Sequence, residues 1–236
     1  MQTTENKDFS GHTELENNEQ YLHKYNSHIV NLCASSIHEP DSILDFGAGI
    51  GTLSLILKNV FNIRPVTVEI DKKNARVLQD RGFHNFENID KIENKFDLVF
   101  SSNVLEHIEH DLQALKEIRK KLSNKGNLFL YLPANKILWT KMDETVGHYR
   151  RYSKQEISSK LNQAGFQVVK IHFADSVGFF ASLFMKLTGF DAESGLGSAK
   201  SLIFYDLYIL PISKILDLIG CKYLFGKNIV VVAKSK

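Results

Sequence analysis

Short apolar runs alternate with amphipathic stretches along most of this chain. From about Glu14 to Ile37, Leu22, Tyr25, Ile29 and Leu32 recur at three- and four-residue intervals, which predicts a helix ending before Pro40. SILDF (42–46) reads as a short buried strand and TLSLILKNV (52–60) as an apolar helix. After Pro65, VTVEI (66–70) is a second strand and DKKNARVLQDRGF (71–83) a helix ending near Gly82. NFENI (85–89) covers a short strand, FDLVF (96–100) a buried one, and VLEHIEHDLQALKEIRKKL (104–122) one long amphipathic helix. GNLFLYLP (126–133) follows as a strand. Beyond Pro133, Ser153 and Glu156 have capping-box spacing at the start of a helix. FQVVKIHFAD (166–175) and NIVVVAKS (228–235) are the last two strands, with a long apolar insertion between them. Strands alternating with helices predict a parallel sheet covered on both faces.

Composition narrows the class. With 43% hydrophobic and 24% charged residues in 236, the chain can bury a large core. A formal charge of +2 gives nucleic acid no encouragement. The densest basic run, KEIRKK (116–121), is expected to be a solvated helix face with Glu117 and Lys121 spaced to pair. Cys33 and Cys221 form no C-x-x-C pair and are expected as free thiols. The polar N-terminus has neither signal- nor transit-peptide character, so a cytoplasmic protein is expected.

Candidate chemistry begins at ILDFGAGIG (43–51). An apolar strand, a glycine turn and a helix place backbone N–H groups at the carboxyl edge of a sheet, where anions and cofactors bind. The dinucleotide pattern G-x-G-x-x-G fails here: Gly51 arrives one residue early and Thr52 stands where the third glycine belongs. Glu69 ends the second strand 22 residues after Gly47, the place for a carboxylate that holds ribose hydroxyls. An adenosine ligand with a small zwitterionic tail fits this better than a dinucleotide.

The run ILDFGAGIGTLS resembles the first motif of class I S-adenosylmethionine-dependent methyltransferases. FDLV, VLEHI and KGNLFLYLP resemble the fourth- and fifth-strand motifs, so that the resemblance spans about residues 14 to 175 and the last strand. It implies a doubly wound, Rossmann-like α/β fold with seven strands, mostly parallel, the last antiparallel, and S-adenosylmethionine as cofactor. By the same resemblance Asp45, Gly47, Ala48, Gly49 and Gly51 receive the methionine moiety, Glu69 the ribose, and Ile70 flanks adenine. Asp90 is placed at the adenine amino group, and Ser102 and Asn103 beside the cofactor after the fourth strand.

Two stretches offer a base for an acceptor hydroxyl, a task suited to histidine. One is His107, in SSNVLEHIEHD. The other is His148, in DETVGHYRRYSKQEI (143–157), which resembles the GHYRRY segment of bacterial methyltransferases associated with lipid, quinone or surface-glycan pathways. There Trp139, Tyr149, Arg150 and Arg151 are expected to bind the acceptor, the arginines gripping an anionic group bidentately. The alternative is that an arginine pairs with Asp143 or Glu144 and the tyrosines pack the lid. Asn103 stands where the metal-binding E-x-x-E-H helix of some methyltransferases has its first acid, so no metal is expected.

The organisation that follows is a helical cap (1–40), a cofactor-binding core (41–175), an apolar insertion (176–225) and a final core strand (226–236). In the insertion, Asp206, Ser213, Lys214 and Asp217 fall on one helical stripe and oppose a spanning helix. A lid over a greasy pocket, an interfacial helix on a membrane, a homodimer surface and packing on the chain's own core all remain open for it. GLGSAK (195–200) is expected to be a joint between its helices. The expected activity is O-methylation of a hydrophobic or lipid-linked small molecule, of quinone, isoprenoid, glycolipid or natural-product type, by a cytoplasmic protein that is alternatively peripheral at the inner face of a membrane. A catalytically silent scaffold of the same fold and an NAD-dependent oxidoreductase are the rivals.

Overall fold

The computed structural model describes residues 11–188 and 198–236. Seven strands form one sheet in the order β3-β2-β1-β4-β5-β7-β6. They are β1 (Ile43–Phe46), β2 (Val66–Val68), β3 (Asn85–Phe86), β4 (Phe96–Ser102), β5 (Leu122–Pro133), β6 (Phe166–Ala174) and β7 (Asn228–Ser235). The first five pair in parallel, and β7 runs antiparallel to both β5 and β6. The doubly wound sheet is therefore the one expected. Side chains alternate along a strand, and the two cores follow from that. Leu44, Val99, Leu128 and Leu130 face one side, while Ile43, Leu98, Phe100 and Phe129 face the other.

The helices are α1 (His12–Tyr21), α2 (His23–Ala34), α3 (Thr52–Phe61), α4 (Lys72–Asp80), α5 (Asp111–Lys120), α6 (Lys141–Thr145), α7 (Lys154–Gln163), α8 (Ser176–Thr188), α9 (Ala199–Phe204) and α10 (Leu210–Leu218). Ser153 caps α7 by accepting from the Glu156 N–H at 3.1 Å, as its sequence spacing predicts.

Two elements and one ion pair differ from expectation. The first helix is two, broken at Leu22 (φ −112°, ψ 49°), whose side chain is buried. The long helix after β4 shrinks to α5, because Leu105–His107 forms a separate 3₁₀ turn that carries Leu105 and Glu106 into the core. On α5, Glu117 pairs with Lys120 at 2.8 Å rather than with Lys121.

The insertion is α8, then α9 continuing through a π-turn (Tyr205–Ile209) into α10. Its acids turn inward. Asp206 accepts from the backbone N–H of Lys24 and Tyr25 at 3.0 and 2.8 Å, at the positive end of α2. Asp217 accepts from the N–H of Asp175 at 2.8 Å and from the Ser176 hydroxyl. Asp175 (φ 63°) turns the corner after β6 and accepts from Ser213, Gly178 and Tyr205. The polar stripe read from the sequence is thus the inner seam, and only Lys214 of the four faces water. Part of the expected joint, residues 195–197, lies outside the described residues.

Candidate active site

The glycine turn leaves β1 at the carboxyl edge of the sheet. Gly47, Gly49 and Gly51 all have positive φ (80°, 56° and 88°), which glycine adopts without strain. Space is short as well: a Cβ on Gly47 would meet Val104 at 2.3 Å, and one on Gly51 would meet Leu78 of α4 at 2.7 Å. The early third glycine therefore lets α4 pack closely against the start of α3. The N–H groups of Gly47 and Ala48 donate to Val68 O at 2.9 and 3.1 Å, which fixes the turn to the end of β2.

That fixes Glu69 beside it. Its carboxylate accepts from Gly49 N–H and Asp71 N–H, both at 2.8 Å, so it bridges the turn and the α4 start. Burial raises its pKa, against the pull of those backbone donors. Each oxygen keeps a lone pair for a ribose hydroxyl. Ile70 is 80% exposed at the same edge, an apolar surface open to a base. Thr52 Oγ1, at the first turn of α3, is buried without a hydrogen-bond partner among the described residues. Asp45 lies beneath the turn, 2% exposed, and accepts from the Ser54 hydroxyl. Burial pushes its carboxyl up to about 7, a shift that the Ser54 bond opposes and Glu69 adds to. These residues fit an adenosine with an amino-acid tail.

Asp90 does not join them. It is exposed in the 3₁₀ turn after β3 and interacts with Glu117 and Lys120 of α5, away from the turn. Parallel pairing of β3 with β2 sets Phe86 opposite Val68, so Glu87 and Asn88 leave β3 where Glu69 leaves β2. Sequence reasoning missed them because β3 is only two residues long and gives almost no periodic signal.

Beyond β4, Ser102 and Asn103 (φ 53°) hold the edge, with Asn103 N–H donating to Tyr131 O at 2.8 Å. The next turn brings in Glu106 and His107, and the loop after α6 brings His148 to them. The His107 and His148 rings are 4.6 Å apart, nearly perpendicular. Donor atoms of Glu106, His107 and His148 lie within 4.8 Å of one another, a set able to hold a divalent cation or to surround an acceptor hydroxyl. Glu106 is fully buried and neither carboxylate oxygen has a hydrogen-bond partner among the described residues. Burial pushes its carboxyl up to about 8 despite the charge of Arg151, so at neutral pH it is mainly a neutral acid. His107 is pushed down to about 4 by burial and by the neighbouring His148.

His148 is oriented by Asp143, whose Oδ1 is 2.8 Å from its Nδ1. Asp143 is 2% exposed and also accepts from Arg151 Nε at 2.8 Å and Thr140 N–H at 2.9 Å. Burial alone would raise its pKa; the bonds from His148 and Arg151 overcome that and hold it at about 2. The ionised carboxylate keeps the imidazole proton on Nδ1 and leaves Nε2 as the basic nitrogen.

The expected arginine grip is corrected. Arg151 is spent on Asp143, and its Nη1 donates to Ala134 O at 3.4 Å. Arg150 donates to Ile108 O and Glu109 O at 2.6 and 2.7 Å and pairs with Asp111 at 3.0 Å. Both guanidiniums brace the loop that carries His148. Tyr152 packs fully buried with its hydroxyl on Asp111, whereas Tyr149 is 54% exposed and stacks on Arg150. Trp139 Nε1 donates to Glu144 at 3.2 Å on the rim of the same loop.

Helix α1 covers the site. Leu15 lies over Gly49, and Glu14 is close enough for His148 to counter the rise that burial gives its pKa. Arg81, at the end of α4, clasps Glu19 of α1 through two bonds of 3.0 and 2.8 Å. Nothing in the helical pattern of residues 14–37 signals this covering role.

A family model described as a methyltransferase domain matches residues 18–171. An uncharacterised protein of Methanocaldococcus jannaschii is 32% identical over 143 residues, which is 60% of this chain; the chain spans only 60% of that relative's length. Among solved structures, a possible histamine N-methyltransferase from Thermotoga maritima superposes with a TM-score of 0.66 at 17% identity, covering 95% of each chain. A mycolic acid cyclopropane synthase solved with SAH and CTAB superposes at 0.54 and 14% identity, covering 88% of this chain and 82% of that one.

Proposed function

The chain belongs to the methyltransferase-domain family, and from that premise we propose that it methylates a hydroxyl of an amphiphilic small molecule with S-adenosylmethionine as donor. The observation that carries the reading is the Asp143–His148 pair, held next to Glu106 and His107 at the sheet edge that also bears the glycine turn and Glu69. Bound at that turn, S-adenosylmethionine supplies a methyl group on a sulfonium, electrophilic enough to need no further activation. The glycine turn and Asp45 would hold the amino-acid end, Glu69 the ribose, and Ile70 the adenine face.

The acceptor hydroxyl must lose its proton as it attacks. His148 Nε2 takes it, and the Asp143 carboxylate stabilises the imidazolium formed. Arg151 holds Asp143 in line, and α1 with Leu15 and Glu14 excludes water from the cluster. Glu106 stays buried beside the two imidazoles, and His107 offers the acceptor a neutral ring. The apolar insertion beside the site supports an acceptor with a greasy part, and the synthase solved with SAH and CTAB supports it by fold analogy alone.

The test is methyl transfer from labelled donor into a lipid extract. Label should enter the lipid fraction, and His148→Ala should lower the rate by about 10²–10⁴-fold without weakening S-adenosylhomocysteine binding. Label found only in protein or RNA, or a His148→Ala variant at full rate, would overturn the reading.

A further inference from the structure

The insertion presents two faces of opposite character. Its inner face carries Asp206 and Asp217, both buried and both bonded to backbone N–H groups of the core. Its outer face carries Phe204, Tyr208, Ile215 and Leu218, exposed at 55, 58, 62 and 80%. Phe184 and Leu187 of α8 are exposed as well, at 66 and 77%. The only exposed charges on its described helices are lysines, Lys186, Lys200 and Lys214. Apolar surface of this extent is not left to water without a partner.

We propose that the outer face of α8 and the α9–α10 rod docks in the plane of an anionic lipid bilayer. Among the described residues no helix is long and apolar enough to cross a membrane, so the helices lie on it. Aliphatic and aromatic side chains enter the acyl boundary, while Lys200 and Lys214 reach back to the headgroups along their methylene stems, Lys186 being bonded to Ile137 O at 2.7 Å. Charge selects the partner. A twofold contact through this face would set lysines against lysines, whereas anionic headgroups neutralise them. Both buried aspartates serve the same end: by capping the core they leave the outer face of the described helices free of acid. Docking deepens the amphiphilic-acceptor reading, because it brings the sheet edge to the compartment that holds such an acceptor, but the surface itself binds whether or not methyl is transferred.

The experiment is sedimentation of the full chain with vesicles of phosphatidylcholine, with and without phosphatidylglycerol, beside its oligomeric state in solution. Binding is expected to the phosphatidylglycerol vesicles and to fall with salt. Lys200→Ala with Lys214→Ala should weaken it by about 25-fold, roughly five-fold for each cation near an anionic surface. Ile215→Glu with Leu218→Glu should abolish it; the positions are exposed, and unchanged S-adenosylhomocysteine binding reports that the variant is folded. No vesicle binding by the native chain overturns the proposal, as does binding that survives the double glutamate variant. A dimer that this variant dissociates, with no vesicle binding, assigns the face to a second copy instead. Vesicle binding without any S-adenosylhomocysteine binding leaves the docking standing and removes the methyltransferase reading.

Discussion

Glu106 keeps a carboxyl group at zero exposure with no hydrogen-bond partner for either oxygen among the described residues. Its folded pKa of about 8 lies above the ordinary 4.5, so the native state holds the proton more tightly than the unfolded chain does. The stability this brings is full below pH 4.5 and is lost as pH rises through about 8; Asp45, pushed up to about 7, has the same sign. Urea unfolding from pH 7 to 8 should therefore show stability falling with pH, above the range in which His28 and His107, both pushed down to about 4, give the opposite slope. Glu106→Gln should reduce the slope by up to about 1.4 kcal/mol per pH unit, one proton's worth. An unchanged slope would mean that Glu106 is solvated or paired. At this scale the sequence was legible where a residue type has one use: the glycines and Glu69 lie together at the edge where their spacing puts them. For Arg151 it left open an acceptor grip or a pair with Asp143, and the structure gives the pair; for Arg150 it was misleading, because an arginine's partner depends on which carboxylate and carbonyls the fold brings near. Asp111 is 39 residues from Arg150, a separation no local pattern reports.

Elements were legible where burial has a period. The strands β1, β4, β5 and β7 are long or apolar enough to declare themselves, and the two-residue β3 is not. Helix α1 shows what periodicity leaves out, since its place over the turn is set by the clasp of Arg81 on Glu19 and by Leu15 on Gly49. An ion pair with partners about a quarter to a third exposed holds weakly. Glu19→Ala should then raise both the association and dissociation rates of S-adenosylhomocysteine by about two- to five-fold in stopped-flow, the worth of such a pair, with little change in affinity. An unaltered association rate would mean that the cofactor reaches the turn without α1 moving.

For the whole molecule, the parts divide the work along the sheet edge. The β1–β2 side carries the glycine turn, the β4–β5 side carries the histidines, and the insertion between β6 and β7 carries the apolar face. The seven-stranded architecture could be read from strand–helix alternation, because each parallel crossover needs its helix. Which way the insertion's aspartates point could not, since one helical stripe of polar residues suits an outer face and an inner seam equally. Every role along this edge depends on the cofactor, and calorimetric titration of the full chain with S-adenosylhomocysteine tests for it, with NAD as control and Glu69→Ala in parallel. One-to-one binding of S-adenosylhomocysteine alone is predicted, weakened by about ten-fold or more in the variant as a charge-assisted bond to ribose is lost. Saturable binding of NAD, or equal affinity of the variant and the native chain for S-adenosylhomocysteine, would contradict it.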